Sequence, residues 1–595
     1  MTFLDRKKIS LWTLVLLSLW ILIFRATQVH NNELSWDVFG YYLPLEGTFI
    51  YDDPLLTDRT WVEEINAKHH VSDTLYQISS TPENEPMYFF LLGMSYMYAI
   101  FFFIAHFLAG MLGYAQDGLS SPYQYTLAMG MVVYTIIGLI YLRKILLRFF
   151  TDQLTSVLLL ICVLGTNYAH HMTIKNLETV NMLFMFITIV IWNTIRWYED
   201  GKLKNMLAIG VSITMMALIK PSEVLVVLIP LIWGLSSLRE IPKRFHQLWL
   251  HKNQLILSLA VCFLIASPQV YYWYVKTGSF FYDSYKNPGV GLDFLSPHIY
   301  GGIFSYRKGW LVYTPIMIFA LLGFIPLYKK RKDLFFGMLI PFLISLYIIV
   351  SWTEYWYGAS FSNRPVIVQY PILLISLGFF LQWIWKQKNS IRYSFSGIVL
   401  LLVFLNLFQW WQFQNYIIDS TRMTKEYYWK VFLKTSVSAE DRELLLLERS
   451  YDPANLNQLK NENKYTSTSI QRSDYLPILM ENYSVEEFIE TKQIPFNELT
   501  DKDHCYAQFT FDYAVKNPEG KEIFLSCMMS RSNGDYGQYY FKLTGTDTLQ
   551  NRVDTLFLTP EIRSEKDQLK FFIWNPNKLA FKMQNFKLKV LEPKK

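Results

Sequence analysis

The sequence predicts an all-α polytopic membrane domain followed by an outer α+β tail that ends in a β-sandwich. Three observations predict it. Of 595 residues, 52% are hydrophobic and only 17% are charged, against about a quarter charged in a soluble globular chain. The charge deficit is concentrated in residues 1–413. There, apolar runs of roughly 16 to 22 residues recur, each close to the length that crosses about 30 Å of hydrocarbon. From residue 501 onward the pattern changes to short alternating stretches separated by Gly, Pro and Asn.

The formal charge of +6 is small for this length, and no basic stripe accompanies a nucleic-acid motif, which excludes nucleic acid as a partner. The four cysteines form no metal-spaced cluster. Cys162 and Cys262 sit inside apolar runs, as small buried hydrophobes do. Cys505 and Cys527 lie in the tail and can pair if the tail is in an oxidising compartment.

The N-terminal stretch "MTFLDRKKISLWTLVLLSLWILIF" has a basic start and an apolar run but no small-residue cleavage site, so it reads as an uncleaved first span. Spans follow near 9–24, 124–142, 154–172, 179–197, 205–219, 222–238, 254–272, 310–328, 334–352, 366–385 and 394–413, about eleven in all, with ends uncertain by a few residues. Orientation follows from the basic loops. Alternate loops carry Arg6, Lys7 and Lys8; Arg143, Lys144 and Arg148; Arg196, Lys202 and Lys204; Arg239, Lys243, Arg244 and Lys252; Lys329 to Lys332 around Arg331; and Lys386, Lys388 and Arg392. All fall on one side, the cytoplasmic one, and an odd count of spans places the tail outside.

The run "PMYFFLLGMSYMYAIFFFIAHFLAGMLGY" (86–114) is long enough to span. As a span it would invert every later loop, so it reads as one or two helices lying in the outer interface or re-entering the membrane. The alternative is a true span paired with another one miscounted. The organisation expected is a catalytic membrane domain over 1–413, with an outer loop at 25–123; a helical and loop connector over 414–500; and the sandwich over 501–595. In the connector, "RMTKEYYWKVFL" and "SAEDRELLLLERS" read as helical and "QLKNENKYTSTSIQRSD" as a loop.

The outer segments gather ionisable residues next to apolar spans: Asp37, Glu85, Lys175, Glu178, Lys220, Arg307, Lys308, Glu354 and Arg364. Such residues are costly at membrane depth and mark a pathway or a site. Lys220, in "MMALIKPSEVLVVLIP", sits at a Pro-marked turn, where it either serves a site or snorkels to the interface. Asp52, Asp53 and Asp58 in "YDDPLLTDRTW" fit turn chemistry. The pairs His69–His70 and His170–His171 lack a third ligand at a usual spacing, and adjacent side chains point apart, which argues against metal. Tyr271, Tyr272, Trp273 and Tyr274 fit an interfacial aromatic belt.

The stretches "SWDVFGYY" (35–42), "NEPMYFF" (84–90), "LGTNYAHH" (164–171), "LIKPSE" (218–223), "FSYRKGWLVYTP" (304–315) and "YWYGASFSNRPVIVQYP" (355–371) resemble, in this order, segments of GT-C glycosyltransferases. The branch resembled is that of bacterial protein O-mannosyltransferases and lipid A aminoarabinose transferases. The resemblance covers roughly residues 1 to 430 and agrees with the topology. It departs in the first loop: Val38 follows Asp37 where many members have an Asp-Glu pair.

The resemblance implies a hexosyl- or pentosyltransferase that takes a sugar from a polyprenyl phosphate and gives it, with inversion, to an acceptor protein, glycolipid or glycan on the outer face. The implied setting is a multi-pass protein of the bacterial inner (cytoplasmic) membrane with a periplasmic tail. The leaving phosphate needs fixed cations, for which Lys220, Arg307 and Arg364 are the candidates. The acceptor needs a base, and Asp37 is the candidate; its structural alternative is an N-cap for "VFGYYLPL". Arg307 and Lys308 alternatively form an interfacial pair flanking the span at Trp310, and Lys308 fits that role better. Glu354 and Tyr357 are acceptor-side or hydrogen-bonding candidates, and Glu85 would orient the loop or help a metal. No cofactor is demanded; a divalent metal is left open. A transporter or flippase of lipid-linked sugars, and a glycan ligase or polymerase, are the competing readings. The absence of a half-chain repeat disfavours the transporter. The sandwich would bind glycan or acceptor, or cap the outer face.

Overall fold

The apolar runs fold as helices. The computed structural model describes residues 8–72, 75–285, 291–442, 444–446, 465–470, 483–500, 505–516, 523–531, 534–544, 548–557 and 567–593. It divides into two compact units: residues 1–285 with 293–441, and residues 286–292 with 442–595.

The first unit is helical. It opens with α1 (Lys8–Thr27), α2 (Asp37–Phe49) and α3 (Thr60–His69), then a short hairpin of β1 (Ile78–Ser80) and β2 (Pro86–Tyr88). There follow α4 (Gly93–Leu112), α5 (Ser121–Phe149), α6 (Asp152–Leu164), α7 (Tyr168–Thr173), α8 (Thr179–Asp200) and α9 (Leu203–Ile219). Next come α10 (Leu228–Ile232), α11 (Ile241–Leu250), α12 (Lys252–Thr277), α13 (Ile299–Phe304), α14 (Trp310–Tyr313), α15 (Met317–Leu322) and α16 (Phe324–Lys330). The unit closes with α17 (Lys332–Ser351), α18 (Tyr370–Ile384), α19 (Asn389–Gln414), α20 (Lys425–Val431) and α21 (Ala439–Arg442).

Among the described residues, 8 helices are long and apolar enough to cross a membrane. Seven fall on expected spans: α1, α5, α8, α12, α17, the Arg364–Ile384 stretch and α19. At the other four expected positions the helices are shorter or broken. Residues 154–172 break at Gly165 into α6 and α7, and 205–219 forms the 17-residue α9. Residues 222–238 begin as a 3-10 turn, Pro221–Val227, and continue only as α10. Residues 310–328 break into α14, α15 and α16. Proline explains two of these breaks: Pro221 and Pro315 lack the N–H that a continuing helix needs. Gly323 marks another, because a Cβ there would lie 2.2 Å from the Ser376 carbonyl oxygen.

The described residues of the basic clusters collect at one end of the bundle; Arg6 and Lys7 lie outside the described residues. Asp152, at the start of α6, accepts from the Ile9 N–H of α1 at 2.8 Å and also holds Ser10, which accepts from Arg143. Arg148 pairs with Glu199, and Gln254 donates to the Gly201 carbonyl. Arg244 lies over the Tyr198 ring, Arg331 lies over Phe149, and Arg392 lies over Trp385 at the end of α18. Asp37 lies at the other end, as does the C-terminus of α19, where Trp410 packs on Phe24.

The run at 86–114 forms one 20-residue helix, α4, rather than two. Both its ends meet the Asp37 end of the bundle. At its start, a Cβ on Gly93 would lie 2.4 Å from the Leu218 carbonyl carbon, and Leu92 N–H donates to Gln269. At its far end, His106 hydrogen-bonds Tyr123 at the start of α5. It packs antiparallel along α5, where the Tyr134 hydroxyl donates to the Met97 carbonyl at 3.2 Å.

The second unit holds two four-stranded antiparallel sheets. Its strands are β3 (Tyr465–Ile470), β4 (Phe488–Pro495), β5 (Tyr506–Lys516), β6 (Ile523–Arg531), β7 (Gly534–Leu543), β8 (Gln550–Phe557), β9 (Gln568–Trp574) and β10 (Ala580–Pro593). The sheet orders are β3-β10-β5-β8 and β4-β9-β6-β7. Phe509 of the first sheet stands 5.1 Å from Phe541 and 5.5 Å from Phe571 of the second, so aromatic rings join the two inner faces. Two strands come from the expected connector: β3 lies in the stretch read as a loop, and β4 follows it. The polar "YTSTSI" hid β3, an edge strand paired on one side only, by β10. Of "SAEDRELLLLERS", α21 is helical, and residues 443 and 447–450 lie outside the described residues.

Cys505 and Cys527, for which pairing is conditional on an oxidising compartment, are both buried and are not joined to one another. Cys527 belongs to β6, whereas Cys505 leads into β5 of the opposite sheet. Denatured without reductant and alkylated, the chain should take up four alkyl groups, read as a mass shift; two would mean that these cysteines are bonded.

Candidate functional site

Asp37 is the first residue of α2 and does not cap it; the N-cap position is Trp36, held at a φ of 54°. The approach to it is fixed from several sides. Arg25, buried at the end of α1, donates to Glu33 at 2.9 Å and to Asn176 at 2.9 Å. Gln124 of α5 accepts from the Glu33 and Leu34 N–H groups. Trp36 N–H donates to the Val71 carbonyl, and Gln77 donates to the Trp36 carbonyl. With the backbone so held, the Asp37 side chain turns to two partners. The Tyr76 hydroxyl donates to Oδ1 at 2.7 Å, and Arg364 Nη2 lies 3.1 Å from Oδ2.

Arg364 enters from the opposite side of the chain, at the start of the 3-10 turn Arg364–Gln369. Pro365 follows it, which biases Arg364 away from helix and ends the preceding loop there. That loop is bent by Tyr357, Gly358 and Ser362, all with φ between 50° and 65°. For Tyr357 and Ser362 such a conformation costs roughly 1–3 kcal/mol each. Buried contacts hold it: Lys308 donates to the Ser360 carbonyl, Asn167 donates to the Phe361 carbonyl at 3.3 Å, and Asn363 donates to the Gly302 carbonyl at 3.2 Å.

The guanidinium is shared. Its Nη1 lies 2.8 Å from Glu178 Oε2, so one cation spans two carboxylates. Glu178 immediately precedes α8 and makes no cap hydrogen bond, leaving its side chain for Arg364. His171 Nδ1 stands 3.3 Å from the same oxygen, close enough to feel its charge but not aligned for a hydrogen bond. Burial would raise the Glu178 carboxyl; Arg364 and then His171 outweigh it and hold the group below the usual carboxylate range. Burial pushes the His171 imidazolium down despite Glu178, so the ring stands neutral. Burial, followed by the Asp37 charge, pushes the Tyr76 hydroxyl up, so it remains a donor.

Beside this triad, the half-buried Lys220 ammonium lies 5.4 Å from the centre of the Tyr357 ring. Burial lowers its pKa, Glu223 opposes that, and Arg364 adds to it. Among the described residues no carboxylate comes within ion-pair distance of Lys220. Tyr357 donates its hydroxyl to the Ile349 carbonyl at 2.7 Å. Tyr41 and Tyr285 lie near enough to Asp37 to feel its charge.

Of the residues singled out in the sequence, the fold brings together Asp37, Glu178, Arg364, Lys220 and Tyr357. Arg307 has contacts of its own: its guanidinium lies over Trp356 at 4.1 Å and donates to the Thr421 carbonyl at 2.6 Å. Glu85 pairs with Lys276 of α12 at 3.3 Å, tying the β1–β2 hairpin to that helix. Glu354 lies at the head of the bent loop, its carbonyl accepting from Tyr357 N–H. Lys308 is not an interfacial flank; it is 1% exposed. Asp53 is turn chemistry, accepting from the Thr57 and Asp58 N–H groups and from the Trp61 indole. Among the described residues, no group of three or more His, Cys, Asp or Glu is placed to hold a metal ion.

Sequence reasoning did not select Tyr76 or His171 for the site, and it noted Glu178 among the outer ionisable residues without giving it a role. His171 lay within a noted pair. Tyr76 carried no signal.

No protein-family model and no curated protein matches this chain. Among solved structures, the chain is similar to the Archaeoglobus fulgidus oligosaccharyltransferase in its apo form, with 11% identity and a TM-score of 0.40. It is also similar to oligosaccharyltransferase AglB from Archaeoglobus fulgidus in complex with an inhibitory peptide and a dolichol-phosphate, with 10% identity and a TM-score of 0.37. Each match covers 74% of this chain and 60% of the other, so this chain spans less than two thirds of either. Likeness at that level carries no argument about activity.

Because its folded pKa is depressed, Glu178 contributes stability that is fully present at neutral pH and is lost as pH falls below the ordinary carboxylate range, about 4. Glu178→Gln should therefore lower the melting temperature at pH 7, by up to about 3 kcal/mol of stability since Asp37 still holds Arg364. The gap to the wild type should narrow below about pH 4. Equal melting at pH 7 would mean that the pair contributes nothing.

Proposed function

We propose that this chain is a membrane glycosyltransferase that moves a sugar from a polyprenyl-phosphate donor to an acceptor, with Asp37 as the general base. The observation that carries the reading is the meeting of Asp37, Arg364 and Lys220 at one end of an apolar helical bundle. A carboxylate with a side chain 36% exposed stands against a guanidinium, and a second cation, which among the described residues has no carboxylate within ion-pair distance, lies beside them. A lipid phosphate is an anion that arrives at the membrane surface, and this arrangement offers it two cations.

In the proposed reaction the donor phosphate displaces Asp37 from Arg364 and also contacts Lys220. Glu178 stays on Arg364 and keeps the guanidinium oriented. Asp37, released from Arg364, takes the proton of the acceptor hydroxyl or amine. The acceptor atom bonds to the anomeric carbon as the bond to the phosphate oxygen breaks, with inversion. The polyprenyl phosphate leaves with the bonding pair. Tyr76 keeps Asp37 aimed, and Tyr41 and Tyr285 offer flat faces for a sugar.

In this reading the basic end is cytoplasmic and the site faces the outside of a bacterial inner membrane. The donor's sugar and the acceptor's class, whether protein, glycolipid or glycan, are set by groups beyond this triad.

The test is turnover of radiolabelled polyprenyl-phosphate sugars by purified protein in lipid. Asp37→Asn, assayed below its own lowered melting temperature where it remains folded, should lose about 10²–10⁴-fold in rate. Lys220→Met should chiefly raise the donor KM. A wild type that carries intact donor across a vesicle membrane without cleaving it would overturn the reading in favour of a transporter.

A further inference from the structure

Far from this site, α11 carries a surface that the proposed chemistry does not use. Its sequence, "IPKRFHQLWL", places Ile241, Phe245 and Trp249 four residues apart, with Leu250 beside them. All four are exposed, Phe245 to 66% and Trp249 to 67%. The opposite face is pinned to the bundle. Arg244 is buried over Tyr198 at 4.0 Å, donates to Gln247 at 2.9 Å and reaches the Trp233 carbonyl. Leu248 packs on the cluster of Trp197, Met206 and Ile209. The helix therefore cannot roll to hide its apolar stripe.

Two further facts say what covers it. The stripe runs into α12, a span-length helix whose Ile256, Leu259, Phe263 and Leu264 are each more than half exposed along an apolar side. Exposed Arg239, Lys243 and Lys252 flank the stripe, and among the described residues none of the three is held in an ion pair; Lys252 lies 4.9 Å over the Trp249 ring. An apolar stripe continuous with a lipid-facing helix and edged by cations fits the boundary between acyl chains and anionic head groups.

We propose that α11 lies in the membrane interface at the basic end of the bundle and binds anionic lipid, with Phe245 and Trp249 among the acyl chains and Arg239, Lys243 and Lys252 at the head-group phosphates. This inference is independent of the glycosyltransferase reading. Full-length protein with Cys262→Ser is placed in nanodiscs containing phosphatidylglycerol, with a spin label at Phe245→Cys or at Lys243→Cys. The label at 245 should be open to oxygen and closed to a water-soluble nickel relaxant, and the label at 243 the reverse. Phosphatidylglycerol affinity should fall roughly a hundredfold in the combined Arg239→Gln, Lys243→Gln, Lys252→Gln variant, at about a tenfold loss or less for each charge. A label at 245 open to the nickel reagent, or closed to both reagents because protein covers it, would overturn the proposal. Unchanged affinity in the combined variant would also overturn it.

Discussion

Arg364 holding two carboxylates is the interaction on which the site end of this bundle depends. Asp37 comes from the first turn of α2, and Glu178 from the residue before α8. They are 141 residues apart in sequence. A guanidinium buried to this degree is stable only if its charge is met, and removing one partner from such a pair is expensive. Glu178 in turn keeps its charge because the cation is there. This mutual requirement fixes where α2 enters the helical unit and how the bent loop before Arg364 must run.

The loop that delivers Arg364 is strained. Tyr357 and Ser362 adopt left-handed backbone just before Arg364. Lys308, Asn167 and Asn363 restrain the loop from inside the protein, and each spends a buried polar group on a loop carbonyl or a neighbouring one. Such strain and buried polarity are what a site tolerates and a plain helical connection does not. One guanidinium between two carboxylates leaves a local charge of −1, which Lys220 offsets. An arriving anion can therefore replace Asp37 without leaving Arg364 overcharged.

Much of this was legible in the sequence, for physical reasons. Hydrophobic runs must be helical where the backbone cannot reach water, so the span positions could be read directly. Their interruptions were harder: Pro221 and Pro315 are visible as breakers, but Gly323 matters because α18 passes against it, which no local pattern records. Asp37, Arg364 and Lys220 stood out because ionisable residues beside apolar runs are rare. Their convergence could not be read, because it depends on which loops meet. Arg307 and Lys308 show the limit most clearly. Adjacent residues point in different directions, and the sequence could not say that Lys308 turns into the protein while Arg307 turns to Trp356. Tyr76 lacked any charge signal, and β3 lacked a hydrophobic one.

The central claim is that Asp37 and a phosphate compete for Arg364, with Glu178 as the fixed partner. The most direct measurement is the affinity of polyprenyl phosphate for the wild type, Asp37→Asn and Arg364→Gln, each in the same lipid and each with its melting temperature recorded. The account predicts that Asp37→Asn binds the phosphate more tightly than the wild type, because the competing carboxylate charge is gone, and that Arg364→Gln binds it weakly. If Asp37→Asn binds no better than the wild type while remaining folded, Asp37 does not compete for the cation, and the account is contradicted.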